Sequence, residues 1–100
     1  MLTMVNQIKV TGDPEAFRKA LAALSTYMKA QPGFLSHRLY RSTRNPNSYF
    51  ETAEWTDGVT HQQALTTDTF RELVGELLKH ATADPDFVDL VESDEAVAAA

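Results

Sequence analysis

The spacing of apolar residues switches between two periods along this chain, and the order of the switches constrains the fold more than any other feature. From Leu2 to Val10 the residues alternate, with Leu2, Met4, Ile8 and Val10 on one face and Thr3, Val5, Gln7 and Lys9 on the other. That is the period-two pattern of a strand. Asn6 alone interrupts the apolar face. Thr11-Gly12-Asp13-Pro14-Glu15 then supplies a helix start, with Asp13 suited to the N-cap, Pro14 to the first helical position and Glu15 to the positive end of the helix dipole. Phe17, Leu21, Leu24 and Met28 recur at helical spacing and form one apolar stripe. Gln31-Pro32-Gly33 ends it, because proline lacks a donor and glycine permits the turn.

Phe34 to Ser42 reads as a second strand, with Phe34, Ser36, Arg38 and Tyr40 opposed to Leu35, His37, Leu39 and Arg41. Thr43-Arg44-Asn45-Pro46-Asn47-Ser48 is turn chemistry, and Tyr49 to Thr56 is the partner strand. Tyr49, Glu51, Ala53 and Trp55 share one of its faces, while Phe50, Thr52 and Glu54 take the other. Thr56 or Asp57 caps a short helix through His61 to about Leu65, and Thr66-Thr67-Asp68 restarts the helical pattern for Phe70, Leu73, Val74, Leu77 and Leu78. The polar stretch Ala81-Thr82-Ala83-Asp84-Pro85-Asp86 breaks that helix. Phe87 to Glu92 is the last strand expected, and Ser93 to Ala100 a flexible tail. Residues 1–92 therefore form a single domain, with no internal repeat and no linker.

This order, β-α-β-β-α-β, is the ferredoxin-like split βαβ motif, an α+β fold with a four-stranded antiparallel sheet and helices on one face. Several strands carry apolar residues on both faces: Val5 behind Met4, Leu35 behind Phe34, Phe50 behind Tyr49, and Leu90 beside Val91. Helices on one side leave one of those sets in water, and a second copy of the sheet is the simplest cover. The expectation is a homodimer with two sheets face to face.

The totals exclude several partners. A net charge of −5 offers no basic footprint for nucleic acid, and the lysines and arginines are scattered rather than grouped for a membrane surface. No apolar run approaches the ~20 residues of a membrane helix. The chain has no cysteine, so no thiolate chemistry is available, and a cytoplasmic location is expected. His37, His61 and His80 lack metal-ligand spacing, and no phosphate-binding glycine loop or nucleophile elbow is present.

Two runs carry a family resemblance. Gln31-Pro32-Gly33-Phe34-Leu35-Ser36-His37-Arg38-Leu39 resembles the PGF-L signature entering the second strand of antibiotic biosynthesis monooxygenase domains. Tyr49-Phe50-Glu51-Thr52-Ala53-Glu54-Trp55-Thr56-Asp57 resembles their third strand, which ends in a tryptophan before a small polar helix start. The likeness extends over roughly residues 2 to 92 and implies a dimeric α+β barrel. The family includes quinone-forming monooxygenases of aromatic polyketide pathways, haem-degrading enzymes and quinol oxygenases.

Asn6 and Glu51 are polar residues on faces that are otherwise apolar, and Trp55 lies four residues beyond Glu51 on the same face. With that face turned to the helices, these three line one cavity, walled by Phe17, Leu21, Phe70, Leu73 and Leu77. The resemblance implies a monooxygenase that oxidises a polycyclic aromatic phenol or anthrone to a quinone. It implies no metal and no flavin, with molecular oxygen as co-substrate and the electron-rich substrate doing the redox work. It places a functional tryptophan at Trp55, an asparagine at the position of Glu51 and a tyrosine at that of His61; this chain keeps the first and changes the other two. Glu51 and His61 are then the proton-acceptor candidates, with Asn6 in an orienting role.

Each of these residues has a second reading. Trp55 also suits a core anchor, Glu51 a cross-sheet partner of Arg38 or Arg41, His61 a surface position and Asn6 a partner for backbone groups. Asn6 matches the asparagine of the haem-degrading relatives, but Leu73 stands where they carry an axial histidine and Ala64 where they carry a second tryptophan, so haem degradation is the weakest alternative. A non-catalytic small-molecule binder or accessory dimer, and a polyketide cyclase on the same fold, remain open.

Overall fold

A computed structural model describes residues 1–98. Four strands, β1 (Leu2–Val10), β2 (Phe34–Arg41), β3 (Ser48–Trp55) and β4 (Ala81–Val88), form an antiparallel sheet in the order β2-β3-β1-β4. Three helices, α1 (Pro14–Lys29), α2 (Gly58–Leu65) and α3 (Asp68–Leu77), cover one face. The ferredoxin-like expectation is met, with the second helical region divided into α2 and α3.

The local signals act as their chemistry dictates. Asp13 caps α1 by accepting from the Ala16 N–H at 3.1 Å, Pro14 opens the helix and Lys29 sits in its last turn. Asp57 rather than Thr56 caps α2, accepting from the Thr60 N–H at 2.8 Å. That bond, followed by the Thr60 hydroxyl, holds the Asp57 carboxyl below its ordinary range. Thr67 caps α3 through the Phe70 N–H at 3.1 Å. The Tyr27 hydroxyl donates to the Ala64 carbonyl at 3.0 Å and bonds the Thr67 hydroxyl, tying α1 to the junction of α2 and α3.

Two strands differ from the expectation drawn from sequence. The last strand is Ala81–Val88, not Phe87 to Glu92; no regular structure follows Val88 as far as residue 98, and Leu90 and Val91 are exposed. The reason is that β4 is an edge strand paired only with β1, where a proline costs no interior ladder bond. Its period-two pattern is carried inward by Ala81, Ala83, Pro85 and Phe87, of which the two alanines and the proline read as a breaker. In the tail expected over Ser93 to Ala100, the last two alanines, residues 99 and 100, lie outside the described residues. The second correction is a bulge in β2 between Phe34 and Ser36. It swings Leu35 outward, half exposed, so that Phe34 joins His37 and Leu39 toward the helices instead of opposing them.

The inner face packs as two clusters. Ile8, Val10, Phe17, Ala20, Leu21, Tyr49, Leu77 and Ala81 form the larger, with the Phe17 and Tyr49 rings 5.1 Å apart. Ala53, Trp55 and Ala64 form the smaller, flanked by Leu2, Met4, Met28 and Phe34. No helix among the described residues is long and apolar enough to cross a membrane.

Candidate active site

Between the two clusters lies a cavity of about 190 Å³, bounded by the sheet below and all three helices above. Met4, Leu24, Met28, Phe34, Phe70 and Val74 give it apolar walls. Leu21 and Leu77 line it as the sequence suggested, whereas Phe17 and Leu73 do not; Phe17 is spent on the larger cluster. Ala83, Pro85 and Phe87 border the cavity yet stay exposed, so its mouth is beside β4.

Asn6, Glu51, Trp55 and His61 all line this one cavity. Trp55 is 1% exposed and belongs to the smaller cluster, so it is both core anchor and cavity wall. Phe34 meets it edge-on at 5.5 Å, which joins the two runs that carry the family resemblance. Gly33 makes that junction: its carbonyl accepts from the Thr56 N–H at 2.8 Å, its φ is 87°, and a Cβ there would clash with the Thr60 side chain.

His61 is buried rather than a surface residue. Its ring stands edge-on to both Trp55 and Phe87, each at 5.1 Å, and it makes no side-chain hydrogen bond among the described residues. Burial lowers its pKa, which favours the neutral imidazole.

Glu51 bonds neither Arg38 nor Arg41. Its Oε1 accepts from the Asn6 amide at 2.8 Å, and its Oε2 lies 2.8 Å from His37 Nε2. Asn6 is directly opposite Glu51 in the β1–β3 register, and its Oδ1 accepts from the Asp84 N–H at 3.0 Å beside the proline gap in β4. It thus serves the backbone and Glu51 together. His37 is the site residue that sequence reasoning missed. It pairs across the sheet with Ala53, diagonal to Glu51, and the usable signal was its place on the same strand face as Leu39, which lies opposite Glu51 on the adjacent strand. Among the described residues no group of three or more His, Cys, Asp and Glu side chains is placed to hold a metal ion.

A ferredoxin-like sheet with a mostly apolar cavity under its helices has the form of a small-molecule site. Residues 1–76 match the antibiotic biosynthesis monooxygenase family, and the chain belongs to it. Deoxynogalonate monooxygenase of Streptomyces nogalater is 37% identical over 82 residues, which are 82% of this chain and 64% of that protein, so the chain spans 64% of that relative's length. The crystal structure of SnoaB, a cofactor-independent oxygenase from the same organism, superposes with a TM-score of 0.87 at 29% identity, covering 92% of this chain and 94% of that one. PA3566 from Pseudomonas aeruginosa shares the fold, with a TM-score of 0.77 at 19% identity over 91% and 94% of the two chains.

Proposed function

We propose that the cavity is the active site of a cofactor-independent monooxygenase that converts a polycyclic aromatic phenol or anthrone to a quinone in secondary metabolism. The observation that carries this reading is the cavity itself: apolar walls, the Trp55 and His61 rings at one end, and a polar band of Asn6, Glu51 and His37 across its floor. Membership of the family and the likeness to SnoaB support the cofactor-independent chemistry.

The substrate's activated CH2 loses a proton to a basic group of the site, and the resulting anion passes one electron to molecular oxygen. The radical pair forms a C–O bond, the hydroperoxide is protonated, and O–O cleavage with loss of the second C–H proton leaves a carbonyl and water. The sum is CH2 plus O2 giving C=O plus H2O. The protein orients the ring, excludes water and moves the proton. A flat ring lies against Trp55, and the mouth beside β4 lets the rest of a polycycle extend outward.

The working unit is a homodimer. On the sheet face away from the helices, Leu35, Tyr40 and Phe50 are 51%, 51% and 44% exposed, an apolar surface that a second copy would bury. Sedimentation equilibrium should return twice the chain mass; a monomer at all concentrations would contradict this.

The function is tested by oxygen uptake with a panel of anthrones, without added flavin or metal. Wild type should exceed the spontaneous rate, and Trp55→Phe should lose about tenfold or more in kcat/KM, on the scale of a misplaced reacting ring. Saturable quenching of Trp55 fluorescence without oxygen uptake would instead indicate a binder.

A further inference from the structure

We infer that His37 is the proton acceptor of this site, and that Glu51, itself held by Asn6, is the residue that positions it. The inference rests on the monooxygenase reading and names a residue within it.

The hydrogen bonds run in one direction only. Asn6 Oδ1 is occupied by the Asp84 N–H at 3.0 Å, which turns the Asn6 amide nitrogen toward Glu51 as a donor at 2.8 Å. Glu51 therefore accepts on Oε1, and its Oε2 faces His37 Nε2 at 2.8 Å. A carboxylate can only accept, so Nε2 carries the hydrogen and donates it. The ring's other nitrogen, Nδ1, is left with its lone pair and has no partner among the described residues. A backbone amide, a carboxamide and a carboxylate thus fix one tautomer of a cavity-lining imidazole, the arrangement by which an acid residue orients a histidine base.

The competing groups are less well placed. Both Glu51 oxygens already accept hydrogen bonds, and its side chain is only 12% exposed against 26% for His37. His61 sits edge-on between Trp55 and Phe87 with no carboxylate bonded to it, and burial disfavours its protonated form. The cavity's titratable groups are Glu51 on β3, His37 on β2 and His61 on α2; α1 contributes Ser25 and apolar side chains, and α3 only apolar ones.

In the reaction, the substrate C–H bond breaks and its proton goes to His37 Nδ1, while the electron pair stays on the substrate carbon. The imidazolium is balanced by the Glu51 carboxylate. After oxygen has added, the same proton returns to the peroxide, and water leaves with the O–O bond. His37 ends neutral, in its starting tautomer.

His37→Gln is the discriminating variant, because its amide can still donate to Glu51 but has no basic nitrogen. With the anthrone panel, its kcat/KM should fall about a hundredfold or more, the usual weight of general-base catalysis, and the acidic limb of the pH profile should disappear. Glu51→Gln should lower kcat while leaving KM close to wild type, since the ring is still present but no longer held by a carboxylate. Nitrogen NMR of the histidines supplies a readout independent of turnover: His37 in wild type should carry its hydrogen on Nε2. Wild-type turnover with an unchanged His37→Gln profile would overturn the assignment and leave the monooxygenase reading intact, as would an Nδ1–H tautomer. No turnover by wild type on any anthrone would overturn that reading and this assignment with it.

Discussion

The two ends of the sheet's inner face are built on the same four strands, yet one is filled and the other is hollow. At the filled end Ile8 and Phe17 are wholly buried, and Tyr49, Leu77 and Ala81 close around them. At the hollow end the buried neighbours of Trp55 are two alanines, Ala53 and Ala64, and the His61 ring, and a cavity of about 190 Å³ stands before it. Much of the difference lies in side-chain volume and polarity. Ala53 and Ala83 leave room where larger residues would meet the helices. Asn6, Glu51 and His37 bring polar atoms that must keep partners and cannot be packed over with hydrocarbon. The site is a part of the core left unfilled, with a hydrogen-bonded band at its border.

A matched pair of strand alanines tests that contrast most strongly. Ala81→Val adds two methyls to the filled end and should cost about 1–3 kcal/mol by overpacking, read as a lower denaturant midpoint. Ala53→Val adds the same methyls next to the cavity and should leave stability within about 0.5 kcal/mol of wild type. The second variant should instead weaken anthrone quenching of Trp55 fluorescence, because it occupies ligand space. Equal stability losses at the two positions would remove the distinction between the ends.

A smaller effect separates the ends by pH. Burial holds the His61 pKa below its ordinary value, while in the unfolded chain the imidazole takes up a proton as pH falls through about 6.5. The unfolded state then binds more protons than the folded state, so the stability present above that value declines as pH drops below it. His61→Phe should flatten this dependence in denaturant midpoints compared between about pH 7.5 and about pH 5.5. An unchanged slope would place the dependence elsewhere.

Much of this arrangement was legible in the sequence because it depends on local periodicity. Alternation through β1 placed Asn6 inward beside Met4 and Ile8, alternation through β3 placed Glu51 with Trp55, and the Asp13-Pro14 start located α1. What escaped was non-local. Ala81 to Asp86 reads as a breaker until β1 is present to pair with it, and the Asn6 side chain meets the Asp84 N–H only in that pairing. The bulge at Leu35 has no signature in the residue pattern, since strict alternation sets Phe34 against His37. His37 was passed over for the same reason: its importance is a bond to a carboxylate on the neighbouring strand, which no spacing along β2 records.

The most direct measurement of the central claim is isotopic. Flavin-free, metal-chelated protein is given an anthrone under labelled molecular oxygen, and the product mass is followed for wild type and Trp55→Phe. One labelled oxygen atom in the new quinone carbonyl and its partner in water, with a rate that depends on Trp55, is the expected result. Product formed no faster than without protein, or formed without label, would contradict the assignment of the cavity as an oxygenase site.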